Sequence, residues 1–166
     1  MKKSGSSKRQ SDQTDYQAAL GRAAALCSRQ EQCSSHIRDK LGGWNVNETD
    51  AEKIIRNLQE EKFLDDRRYA GFYVKDKFRF NKWGKIKISH MLRQKKISEE
   101  IIGAALEQID EEDWFQTCLE LIQSKSATLK EKNLFTRKGK LYRYAAGRGF
   151  EPDLIHRALN LTIISQ

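Results

Sequence analysis

A chain of 166 residues with a formal charge of +8 and 38% hydrophobic residues is long enough to bury a good core, and its basic surplus favours polyanionic or acidic partners. No run approaches the roughly eighteen consecutive apolar residues of a membrane-spanning helix, and the amino-terminal segment lacks the apolar stretch of a signal peptide, so a cytoplasmic protein without membrane contact is expected. Cys27, Cys33 and Cys118 have no CxxC spacing and read as reduced packing residues.

Residues 1–14, MKKSGSSKRQSDQT, hold no large apolar residue after Met1 and read as a flexible basic tail. From residue 15 the spacing turns helical. Ala19, Leu20, Ala23, Ala24 and Cys27 form one apolar stripe, Ile37 and Leu41 stand four apart, and Ile54, Ile55 and Leu58 form a third stripe, which makes residues 15–64 a three-helix unit. A second unit, 65–109, follows with Tyr69, Phe72, Tyr73 and Val74, then Ile88 and Leu92, then Ile101, Ile102, Ala105 and Leu106. The third, 110–166, carries Trp114, Phe115, Cys118, Leu119 and Ile122, then Leu141 and Ala145, then Leu154, Ile155, Ala158 and Leu159.

These units are copies of one another. Ile37, Leu41, Val46, Ile54 and Ile55 recur 51 residues on as Ile88, Leu92, Ile97, Ala105 and Leu106, and 53 residues further as Leu141, Ala145, Phe150, Ala158 and Leu159. No segment sustains the period-two alternation of a strand. The fold expected is all-α, an elongated tandem array of three three-helix repeats with about nine helices, in which neighbouring repeats share apolar faces. Thr49 and Glu52 have capping-box spacing, Asp65 or Asp66 can cap the helix holding Tyr69, Ser98 precedes Glu99 and Glu100, and Pro152 suits a first helical position. Gly42–Gly43, Trp83–Gly84, Gly147 and Gly149 mark turns between helices.

Catalytic chemistry finds no anchor in this sequence. His36, His90 and His156 lack ligand-type partners at i, i+4, no phosphate-cradling loop or nucleophile elbow is present, and the acids of 110–113 suit a helix start. No enzyme activity, cofactor or metal is expected.

Charge is arranged in blocks. Residues 67–96 hold eleven Lys or Arg against Asp76 alone, residues 125–148 hold eight against Glu131 alone, and residues 98–120 hold eight acids and no base. On a helical wheel Lys85 and Lys96 lie about 20° apart, with Arg93 about 80° from Lys85. Lys82, Lys85, Lys87, Arg93, Lys95 and Lys96, with Lys138, Lys140, Arg143 and Arg148 behind them, are the candidate partner- or DNA-binding residues. Phe78, Phe80 and Trp83 interleave with them and read as packing residues before base-stacking platforms.

The run Glu60-Glu61-Lys62-Phe63-Leu64-Asp65-Asp66-Arg67-Arg68-Tyr69-Ala70 resembles the Leu-Asp-Asp signature of the bacterial regulatory RecX family. Trp83-Gly84 with the helix through Ile97, and Arg143 to Phe150 with its Arg-Gly-aromatic turn, are similar to that family's central and closing segments. Lys82 and Lys96 stand where the family commonly has glycine, and Cys33 replaces its usual Ser-type cap. The resemblance implies a protein that binds the RecA recombinase filament, inhibits its ATPase, strand-exchange and coprotease activities, and can contact single- or double-stranded DNA. No leftover apolar stripe demands a dimer, so a monomer is expected. Two other readings stand beside it: a nonspecific helical DNA-binding protein, and a helical adaptor for an acidic partner. The helices of Ile54 and Ile101 carry more acids than bases, and neither they nor the helix of Leu154 cluster Asn, Gln and Arg into a base-reading face.

Overall fold

The computed structural model describes the backbone of residues 6–164 and the side chains of residues 15–162. Among these residues it contains nine α-helices and no strand: α1 Ser6–Arg29, α2 Ser34–Gly43, α3 Glu48–Glu60, α4 Asp66–Asn81, α5 Lys85–Gln94, α6 Glu99–Leu106, α7 Glu111–Thr128, α8 Leu134–Gly147 and α9 Pro152–Ile164. Three consecutive triplets of helices result. The chain divides into two compact units, one ending at Tyr69 and the other beginning at Ala70, so the second unit holds most of the second triplet and all of the third.

In the first unit Ala19 and Ala23 of α1, Ile37 and Leu41 of α2, and Ala51, Ile54, Ile55 and Leu58 of α3 close around one core with Leu64. Each fully buried Leu or Ile contributes about 1.5–3 kcal/mol over its exposed state. Helix α1 starts at Ser6, within the stretch whose composition reads as tail; residues 1–5 of that stretch lie outside the described residues. No proline or glycine interrupts Ser6 to Leu20, so a helix nucleated on the core can continue back through it.

Capping departs from the sequence expectation at one end and explains the Leu-Asp-Asp signature at another. Helix α3 is capped by Asn47, whose side chain accepts from Asp50 N at 2.9 Å and donates to Asp50 Oδ2 at 2.8 Å, so Thr49 lies inside the helix rather than at its cap. Asp65 accepts from the backbone N–H groups of Arg67 and Arg68 at 2.8 and 3.0 Å and starts α4. Asp66 reaches 32 residues back in sequence and accepts from Ser34 N at 2.8 Å. It thereby supplies the acceptor that the Cys33 side chain does not provide at the start of α2.

The second unit buries Ala70, Val74 and Phe78 of α4, Ile88 and Leu92 of α5, and Ile102 and Ala105 of α6. From the third triplet it adds Trp114, Cys118, Ile122, Leu141, Ala145, Ile155 and Ala158. Phe78 meets Trp114 edge-on at a centroid distance of 4.5 Å, a packing role that removes it from any binding surface. Phe72 is 58% exposed; the buried stripe of α4 runs through Gly71 in its place.

One corner recurs three times. Val46 N donates to Leu41 O, Ile97 N to Leu92 O, and Phe150 N to Ala145 O, at 3.1, 3.2 and 3.3 Å. The residue before each donor, Asn45, Lys96 or Gly149, has φ of 59°, 58° or 86°. This is a left-handed helix stop closed by a hydrogen bond back to the last turn, and it falls at the offsets of 51 and 53 already read in the apolar pattern.

Candidate partner-binding surface

In the second unit the corner before α5 meets the corner before α9. Gly84 N donates to Arg148 O at 2.8 Å and Ile86 N to Gly149 O at 3.0 Å. Backbone approaches backbone so closely that a Cβ at Gly84 would overlap the Gly149 carbonyl, and one at Gly149 would overlap Lys87. The Arg148 guanidinium crosses the junction and donates to Asn81 O at 2.8 Å, while Lys87 Nζ donates to Gly147 O at 3.4 Å.

Around this junction cations and rings alternate. Lys95 stands 5.9 Å from the Tyr73 ring, and Lys77 stands 5.4 Å from Tyr73 and 5.8 Å from Trp83. Lys87 lies 4.6 Å from Trp83, and Arg148 and Lys125 lie 5.6 and 5.3 Å from Tyr144. Each such contact contributes about 0.5–1 kcal/mol at an exposed site, and it also holds the cation in a fixed place.

The ten cations predicted from sequence fall into distinct groups. Lys85 donates to Glu111 and lies 5.7 Å from the Trp114 ring, so it is half-buried and paired. Arg93 grips Glu99 through two bonds of 2.6 and 2.9 Å, and Lys140 pairs with Glu131 at 2.9 Å. The Arg93 bond holds the Glu99 carboxyl below the ordinary carboxylate range, and the Lys140 bond does the same to Glu131. Lys82, Lys96, Lys138 and Arg143 are exposed, with no carboxylate partner among the described residues. Lys87, Lys95 and Arg148 are half-buried against aromatic rings.

Lys96 does not share the helical face assigned to it, because α5 ends at Gln94 and Lys96 turns the corner with positive φ. Phe80 is 80% exposed, and the aromatic partners of Lys95, Lys87 and Arg148 are Tyr73, Trp83 and Tyr144. Tyr73 and Lys77 stand four apart on one helix, a pairing the sequence contains; Lys125 and Tyr144 lie on different helices, and no local spacing announces them. The assembled surface has fixed cations, flat rings and exposed lysines, which suit an acidic or phosphate-bearing partner. Cys118 is fully buried, and burial pushes its thiol up to about 12, so it is no nucleophile at neutral pH. No described helix is long and apolar enough to cross a membrane, and no group of three His, Cys, Asp or Glu residues is placed to hold a metal among the described residues.

Comparison with known proteins gives one consistent family. Residues 65–106 match the family model described as RecX, second three-helix domain, and residues 111–159 match RecX, third three-helix domain. Regulatory protein RecX of Clostridium botulinum (strain Alaska E43 / Type E3) is 36% identical over 81% of this chain, which spans 64% of that relative's length. Regulatory protein RecX of Chlorobium phaeobacteroides (strain BS1) is 32% identical over 89% of this chain and 95% of its own. Among solved structures, a crystal structure of regulatory protein RecX superposes with a TM-score of 0.82 at 25% identity, covering 88% of this chain and 73% of that one. RecX from Lactobacillus salivarius shares the fold, with a TM-score of 0.84 at 20% identity over 91% of this chain and 98% of that one.

Proposed function

This chain belongs to the RecX family of regulatory proteins, and from that premise we propose that it binds the RecA recombinase filament and restrains it. Bound protein contacting neighbouring protomers resists the changes that accompany nucleotide turnover and obstructs entry of a second DNA. It thereby inhibits ATPase, strand-exchange and coprotease activities and modulates recombination and repair in the cytoplasm. The observation that supports this reading beyond family membership is the alternation of Lys87, Lys95 and Arg148 with Trp83, Tyr73 and Tyr144, flanked by exposed Lys82 and Lys96. Such a surface fits the acidic or nucleic-acid-bearing face of a nucleoprotein filament.

The same rings favour a second reading, direct nonspecific binding of nucleic acid, since bases stack on exposed aromatic faces whatever their sequence. One titration separates the two. The single-stranded-DNA-dependent ATPase rate of the matching RecA is measured against this protein at two DNA concentrations. Inhibition well below one molecule per recombinase, unchanged by added DNA, is the expected result. Relief of inhibition by added DNA would put direct DNA binding first. Reversing Lys82, Lys87 and Lys96 together to Glu should weaken inhibition with helical content retained; unchanged inhibition would remove this surface from the mechanism.

A further inference from the structure

In the first unit, α1 and the α2–α3 corner enclose a cavity of about 520 Å³ whose lining includes Asp15, Tyr16, Arg22, Trp44, Asn47 and Asp50. The Arg22 guanidinium carbon lies 4.0 Å from the Trp44 ring centroid. Arg22 has no carboxylate partner and Asp15 no cation partner among the described residues. Asp50 is already engaged, by Asn47 Nδ2 at 2.8 Å and Lys53 Nζ at 3.1 Å.

We propose that this cavity receives a basic side chain, arginine by preference, presented by a protein partner, with Trp44 as the stacking face and Asp15 as the counter-ion. The ring demonstrably accepts a planar cation, because Arg22 occupies it. That internal occupant is exposed and held by stacking without hydrogen bonds to a carboxylate, which makes it displaceable. An arriving arginine makes the same stacking contact and adds a charge-assisted bond to Asp15. With Asp50 engaged, Asp15 is the carboxylate in the lining left to meet an arriving cation.

The repeat supports this assignment of roles. Arg22 and Trp44 correspond, 51 residues on, to Tyr73 and Lys95, which also face each other at 5.9 Å. Helix cation and corner ring in the first copy become helix ring and corner cation in the second. The second unit's corner therefore offers a cation to a partner, and the first unit's corner offers a ring that receives one.

The test follows the Trp44 indole N–H resonance of the full chain, assigned with Trp44→Phe, during titration with the acetyl-Gly-Arg-Gly amide tripeptide. Its citrulline and glutamate counterparts and free arginine are titrated alongside. Saturable shifts with the arginine tripeptide alone, or with free arginine more weakly, are expected. Asp15→Asn should weaken binding roughly fivefold and Arg22→Ala should tighten it by a similar factor, the size of one exposed charge-assisted contact. Both positions are exposed, so the fold survives either change. Equal binding of citrulline, preference for glutamate with loss in Arg22→Ala, tighter binding of free arginine than of the tripeptide, or no shift with any probe would each overturn the proposal. No recombinase enters the measurement, so its outcome is separate from that of the filament reading.

Discussion

At the scale of single residues, the three corners place the same demand on different side chains. Gly149 meets a positive φ and a close backbone neighbour at once, whereas Lys96 meets only the positive φ and points its side chain into solvent. The first demand has one solution; the second tolerates lysine at a modest cost. Gly149→Ala should therefore destabilise the protein by about 1–3 kcal/mol, through overlap with Lys87 added to backbone strain. Lys96→Gly should stabilise it by about 0.5–1 kcal/mol, the relief of the left-handed conformation less the entropy of the added glycine. Urea midpoints of the two variants check this, and opposite signs are the diagnostic. Loss of stability in Lys96→Gly would show that the lysine side chain contributes more than its backbone costs. The turns after Asn45 and Lys96 were only partly legible in sequence, because neither residue advertises left-handed backbone as glycine does, and only the repeat offset relates them to Gly149.

At the scale of elements, apolar spacing located every helix because each buries one stripe, and the recurrence of Ile37, Ile88 and Leu141 marks the same buried position three times. The ends were harder. Thr49 satisfied a capping pattern that Asn47 fulfils in the fold, and α8 begins at Leu134, a full turn before the point equivalent to the start of α5, because Asn133 caps it. Ion pairs joining elements were illegible altogether: Arg93 in the last turn of α5 finds Glu99 in the first turn of α6, and Lys140 of α8 finds Glu131 in the preceding loop. These pairs set a pH dependence. Glu99 and Glu131 bind protons less readily in the native state than at their ordinary 4.5, so the unfolded chain takes up more protons as pH falls. Their contribution is present above that value and is lost as pH drops through the lowered native range. Thermal midpoints should hold steady from about pH 7 to about pH 5 and then decline, with a shallower acid limb in roughly 1 M salt, because the pairs are exposed and screened. Arg93→Gln should flatten part of that limb; an unaltered limb would mean the pair is not formed in solution.

At the scale of the whole molecule, charge is divided unequally. Residues 70–166 hold eighteen Lys or Arg against twelve Asp or Glu, a surplus of six, whereas residues 1–69 hold thirteen against eleven. This bias was legible from the charge blocks. The sequence could not reveal which cations carboxylates neutralise and which rings immobilise, since those partners come from other elements. The difference predicts how encounter and residence with an acidic partner are separated. Long-range attraction depends on net charge and is screened over about 8–10 Å at physiological salt, so exposed Lys82, Lys96, Lys138 and Arg143 should govern the association rate. Lys87 and Arg148, held against Trp83 and Tyr144, should govern dissociation, because their rings fix them before contact and reduce the entropy lost on binding. Stopped-flow binding to RecA filaments across a salt series measures both rates. Neutralising Lys82 and Lys96 to Gln should lower the association rate and flatten its salt dependence with little change in dissociation. Trp83→Leu should accelerate dissociation with the association rate intact, because it removes a ring and no charge. Were Trp83→Leu to slow association as much as the lysine changes do, the rings would be acting during encounter, and the division of labour proposed for this surface would fail.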